Sequence, residues 1–388
     1  MKKSMIFAAV AAIVLSACSK VETVGVITGS DPVTFGAYTG ISATKAVSNT
    51  TFGSINTNPL LQGSVGFGVF AYYSDGATND YVDTPSSNFY PNFMYNQLVE
   101  YDTDHWTYSP IKYWPNEYNT TNAIGADVDK LTFFAYAPYV ETVGDEGITE
   151  FSANNVAGDP TVSFKVPADK TKQIDLLWSD ANTKNMVKPS IGTEVHFTFK
   201  HALSNLTIIP VAVVDAKTTI PASGGTDVDA ATKVTINSLT LKGKFNQEGT
   251  LNLATGVWTS SAATTDQTVS WTPSPAFDVT AINDKAEANT YYTNNAGVLP
   301  EFMFIPSSTA TEDYVITIDY DFTTTDPKLA APAVVHNVIH KTIEDIEFEK
   351  GKKMKLYVGL GMTSVVLSAE VGDWTSDDDQ NVWLPANL

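Results

Sequence analysis

The chain has 388 residues, 43% of them hydrophobic, and a formal net charge of −20. That length and apolar content suit two packed cores rather than a disordered polymer. The acidity argues against nucleic acid as a partner and against adhesion to anionic lipid by charge alone. All 23 basic residues are lysines, and the lone cysteine leaves no intrachain disulfide and no thiolate metal site.

In chain order, the first 17 residues read as an export signal: Lys2-Lys3, an apolar run from Met5 to Leu15, then small residues before Cys18. The apolar run is too short for a permanent membrane span. A small-residue site ending in the only cysteine is similar to a lipoprotein lipobox, so Cys18 is the expected lipid attachment point. Residues 19–31 read as a tether. In Val33–Tyr38, Val33, Phe35 and Ala37 share one face and Thr34 and Gly36 the other, the period-2 pattern of a half-buried strand. Just beyond lies the basic peptide bond Lys45-Ala46. Cleavage there would strip the first strand from its core and open a groove.

After Lys45 come short β-type runs separated by Gly, Pro, Asn and Asp, which predicts an all-β fold. Strands are expected at Ser64–Tyr73, Met94–Tyr101, Trp106–Tyr113, Leu131–Ala137 and Thr161–Phe164, with Asp169–Trp178 helical or irregular. In the second half, Val195, Phe197 and Phe199 alternate with polar residues. Leu239, Leu241 and Phe245 share a face, as do Tyr314, Ile316, Ile318, Tyr320 and Phe322. Leu356, Val358 and Leu360 follow, then Val365, Leu367, Ala369 and Val371. One-sided strands of this kind pack as antiparallel sheets over a shared core. The expected organisation is a signal at 1–17, a tether and first strand at 18–45, and β-sandwich domains at 46–190 and 191–388.

Several stretches carry the stamp of a family. They are Trp106-Thr107-Tyr108-Ser109-Pro110-Ile111-Lys112-Tyr113-Trp114-Pro115, Leu131–Tyr139, Ile174-Asp175-Leu176-Leu177, and Phe197–Ser204. Phe302-Met303-Phe304-Ile305-Pro306, Phe348–Lys353 and Val371-Gly372-Asp373-Trp374 complete the set. In this order the chain resembles the fimbrillins, the FimA-like and Mfa-like lipoprotein pilins of Bacteroidetes. The resemblance implies two tandem transthyretin-like antiparallel β-sandwich domains and export as an outer-membrane lipoprotein. It further implies surface proteolysis that removes the first strand, then assembly into a type V pilus when a neighbour's C-terminal strand fills the groove. Mapped here, the removed strand carries Val33, Phe35 and Ala37, and the cut falls at Lys45-Ala46. Better-known members are cut after arginine; this chain has none, so either a lysine-directed or other protease acts or the cut does not happen. The donor strand is expected at Val365, Leu367, Ala369 and Val371, or in the tail with Val382, Trp383 and Leu384. Partners are then other pilin subunits, a surface protease, and a host or bacterial glycan or protein receptor. The alternative is a pilus tip adhesin or a monomeric glycan-binding surface lipoprotein.

Other candidate chemistry reads more plainly. Tyr101, Trp106, Tyr108, Tyr113, Trp114 and Tyr118 would suit sugar stacking, yet alternating strand aromatics usually serve as core or cross-strand pairs. His336 and His340 share a face without a third ligand, and zinc needs three or four. Asp377-Asp378-Asp379 lacks the spaced oxygens of a calcium loop. His105 and Glu117 form no specific acid–base pair. Without a nucleophile elbow or phosphate loop, neither catalysis nor a cofactor is expected.

Overall fold

The computed structural model describes residues 32–373 apart from 40–65, 75–79, 82–88, 103–104, 116–128, 169–171, 180–182, 188–193, 213–218, 222–226, 230, 261–264, 280–290, 293, 296–297, 308–312, 326–329, 345 and 362–364. Cys18, Lys45, Ala46, Tyr118, Glu117, Asp377–Asp379, Val382, Trp383 and Leu384 lie outside the described residues. Within them every named element is a strand, twenty-two in all, numbered here in chain order. No helix among the described residues is long and apolar enough to cross a membrane.

A seven-stranded sheet runs β1 (Phe35–Thr39), β9 (Val195–His201), β8 (Leu177–Ser179), β5 (Lys130–Ala137), β2 (Phe67–Ser74), β3 (Met94–Asp102), β4 (His105–Thr107). Its central strands are buried on both faces. Phe70, Tyr72, Phe134 and Tyr136 enter one core, and Val69, Ala71, Phe133 and Ala135 another. That double burial is why β2 and β5 read as near-continuous apolar runs. A four-stranded sheet, β15 (Trp258–Ser260), β14 (Glu248–Asn252), β7 (Thr161–Lys165), β6 (Gly147–Phe151), covers the first of these faces with Ile148, Val162, Phe164 and Leu251.

The second sandwich sets β18 (Glu301–Phe304), β10 (Ser204–Ala212), β21 (Lys352–Leu360), β22 (Val365–Asp373) against β16 (Gln267–Trp271), β13 (Ala231–Gly243), β19 (Tyr314–Thr325), β20 (Ala333–Ile343). β17 (Phe277–Val279) also pairs with β13, and β11 (Thr219–Pro221) and β12 (Asp227–Asp229) form a separate ribbon. The core between the layers collects Leu239 and Leu241 from β13, Ile316, Ile318 and Tyr320 from β19, and Leu356 and Val358 from β21. These are the faces that the alternation marks, because successive side chains in a strand point to opposite sides.

Four details depart from the sequence reading. The run Trp106–Tyr113 is strand only as far as Thr107, since Pro110 lacks the N–H that a ladder needs. Within Asp169–Trp178, the described residues 172–176 form no named element, as the irregular reading allows, and the departure is the short strand Leu177–Ser179. Two strand pairs are parallel, β1 with β9 and β10 with β21. Strands from either side of residue 190 also share sheets, β9 with β8 and β14 with β7. A period of two fixes a strand's faces and says nothing of its neighbours' direction or identity.

Candidate functional site: the slot of the first strand

β1 is an edge strand whose ladder runs only to β9, in parallel register from Phe35 opposite Val195 to Thr39 opposite Phe199. On its other flank the chain touches the segment after β4, where Pro32 bridges Tyr113 and the Val33 N–H donates to the Lys112 carbonyl at 2.9 Å. The Val195 N–H donates to the Thr34 carbonyl at 2.8 Å. Residues 32–39 are therefore threaded between β9 and the 108–113 segment, which closes the curled sheet over its own inner face.

The side chains follow the predicted alternation. Val33 and Phe35 are each 1% exposed, and Ala37 packs at the margin of the same cluster. Phe35 sits among four rings. It stacks on Phe197 at 5.6 Å, meets Phe133 edge-on at 5.7 Å and Phe67 at 6.5 Å, and tilts against Tyr108 at 5.3 Å. Such pairs add about 0.5–1.5 kcal/mol each beyond area burial. Removing this strand would uncover the faces of Phe67, Phe133, Phe197 and Tyr108 together.

Tyr108 bolts the strand in place. Its hydroxyl donates to the Val33 carbonyl at 2.8 Å and lies 3.2 Å from the Lys112 carbonyl. Burial pushes this phenol up to about 12, against 10.0 for an ordinary tyrosine, so it remains a donor at neutral pH. The sequence reading placed Tyr108 in an aromatic group of core or cross-strand pairs and gave it no part in holding the first strand. Only the contact across 75 residues shows that role. Of the same group, Trp114 is buried against Phe133, and Trp106 pairs across the ladder with Tyr101 at 5.2 Å. Tyr101 and Tyr113 are the exposed members among the described residues.

The expected donor segment Val365–Val371 is β22, the outer strand of its sheet, bonded on one side to β21. Leu367, Ala369 and Val371 stand opposite Val358, Leu356 and Met354, so they share the core-facing row. Cover fades along that row: Leu367 is half-buried, Ala369 is exposed and Val371 is 48% exposed. Val365 pairs with Leu360 by its backbone. In the facing sheet, the outer strand β20 carries Val335 at 48% exposure and a half-covered Ile339.

His336 and His340 are exposed on β20 and are tied down separately. The His336 Nδ1 lies 2.8 Å from Asp321, and the His340 Nδ1 lies 2.8 Å from Thr317. The hydrogen bond to Asp321 raises His336 above its ordinary pKa and holds Asp321 below its own. Among the described residues no group of three or more His, Cys, Asp or Glu is placed to hold a metal.

Comparison with known proteins agrees with this architecture. The family model described as Fimbrillin-like matches residues 44–374. Fimbrium subunit Fim1C of Phocaeicola vulgatus is 25% identical over 360 residues, which is 86% of this chain and 88% of that protein. The crystal structure of a fimbrial protein from Bacteroides vulgatus superposes with a TM-score of 0.59 at 20% identity, covering 89% of this chain and 100% of that one. With the match spanning both sandwiches, the chain belongs to the fimbrillin-like family, a family of fimbrial subunits.

Proposed function

We propose that this chain is the precursor of a structural pilus subunit that polymerises by exchanging its first strand for a neighbour's. In this reading it is exported, anchored by lipid on Cys18, and carried to the outer face of the outer membrane. A lysine-directed surface protease cuts at Lys45-Ala46 and β1 leaves its slot. A donor strand from another subunit then enters, from Val365–Val371 or from the tail with Val382, Trp383 and Leu384. The product is an adhesive fibre rather than a catalyst.

The observation that carries this reading is the seat of Phe35. A central core side chain stands on a strand held by a ladder along one edge only, and just beyond that strand lies the candidate cut. A vacated slot would present unpaired backbone groups beside an apolar trough, which is the template for strand addition. Burying three or four donor side chains there, at about 1.5–3 kcal/mol each, suffices for a durable joint. β22 supports the donor side of the exchange, since cover along its inner row fades from the half-buried Leu367 to the exposed Ala369 and Val371.

N-terminal sequencing of the protein sheared from the cell surface tests the proposal. A start between residues 40 and 50, in material that runs as a ladder in mild detergent, is the expected result. An assembled fibre whose subunits all begin at Cys18 would overturn it.

A further inference from the structure

A second concavity lies away from the first-strand slot. It opens where the β6–β7–β14–β15 sheet meets the paired strands β13 and β16, and its volume is about 900 Å³. Sites of this size at the junction of two packed units are where proteins commonly hold ligands. Its lining is rich in hydroxyls. Ser163, Thr250 and Thr259 stand in register on three adjacent strands, Thr250 opposite Ser163 on β7 and opposite Thr259 on β15. At roughly 4.8 Å per strand the row spans about 10 Å. Gln247 and Gln267 add amides from the adjoining segments; the Gln267 Nε2 donates to Thr265 at 3.3 Å, and its side-chain carbonyl is an acceptor.

The chemistry of that lining narrows the ligand. Hydroxyls and amides each donate and accept, so they match a partner that does both. The Ser163 and Thr250 hydroxyls lie 3.1 Å apart and share one hydrogen bond, which leaves each with further capacity. The one lysine in the lining, Lys165, is paired with Glu248 at 2.8 Å, so the groove offers no unpaired cation. A formal net charge of −20 on the whole chain further disfavours anions. The aromatic members, Phe164 and Phe245, are each 1% exposed and turn into the cores, which removes a platform for flat or greasy ligands. Asp145 and Glu248 also line the groove and disfavour anions further, and the row of hydroxyls suits an uncharged, polyhydroxylated molecule large enough to lie along it.

We propose that this groove is a binding site for neutral oligosaccharide, distinct from the exposed aromatics around Tyr101 and independent of strand exchange. Binding rests on hydrogen bonds from the Ser163–Thr250–Thr259 row and from Gln267, without ring stacking.

The test uses the full-length chain on an array of neutral mucin-type and plant-type oligosaccharides together with sialylated and sulfated ones, followed by calorimetric titration of the strongest neutral binder. Thr250→Val keeps the side-chain shape while removing the hydroxyl. Gln267→Ala probes a different strand, should the first variant fold poorly. The expected result is binding to neutral glycans that falls tenfold or more in each variant, with an unchanged melting temperature, and that is unaffected by Tyr101→Ala. The responding neutral class, mucin-type or plant-type, identifies the source. Three results overturn the proposal: no neutral glycan bound at millimolar concentration, binding confined to the acidic glycans, or binding lost in Tyr101→Ala and retained in Thr250→Val.

Discussion

Tyr108 and Phe35 divide the work of holding the first strand. Phe35 supplies burial and ring contacts, whereas the Tyr108 hydroxyl satisfies a buried carbonyl on Val33. Tyr108→Phe should therefore destabilise the precursor by about 1–3 kcal/mol, because the acceptor is left buried without its donor. Urea unfolding of the full-length chain measures this. The bond also sets a pH dependence. The phenol's folded value, about 12, lies above its unfolded value of 10.0, so its contribution is complete below pH 10 and is lost as pH rises through 12. Other tyrosines and the lysines titrate in the same range, so the quantity to follow is the stability difference between native chain and Tyr108→Phe. It should shrink toward zero across that window, and a constant difference would contradict the role given to the hydroxyl. At this scale the alternation of Val33, Phe35 and Ala37 was legible directly. Tyr108 was not, since nothing local distinguishes a phenol that reaches a carbonyl 75 residues away from one that merely fills a core.

Strands differ in how firmly their sheets hold them. β1 has a short ladder and a deep seat, and β22 has a nine-residue ladder and a shallow one. Two segments compete for the donor role, and they respond differently to change. If the tail donates, a processed chain lacking residues 381–388 should fold with its melting temperature within about 2 °C of the parent and yet form no detergent-resistant ladder, since a shift that small reflects only about 1.4 kcal/mol in a chain of this size. If β22 donates, that truncation should ladder normally, and Leu367→Asp should abolish laddering. Gel electrophoresis in mild detergent reads both. The strands themselves were largely visible in the sequence, because β9, β13, β19, β21 and β22 each alternate cleanly. The strand predicted through Tyr113 was cut short by Pro110, and the partners of each strand depended on contacts far along the chain.

Across the whole molecule, anchoring and assembly are separable. Cys18→Ala should leave folding intact, since the described core begins at Val33, but it should move the chain from the membrane fraction to the soluble one. A single acyl attachment point is the expected tether, and fractionation with detergent phase partitioning measures its loss. Retention of the variant with the membrane would place the anchor elsewhere. The sequence alone established an all-β chain, the faces of its main strands, and the apolar row of the first one, because side-chain direction in a strand is a local property with a period of two residues. Only the tertiary structure decided that β1 runs parallel to β9 and closes against residues 108–113, and that hydroxyls from three strands line one groove. Those facts depend on which distant segments meet, and burial against a distant neighbour leaves no periodic trace in the chain.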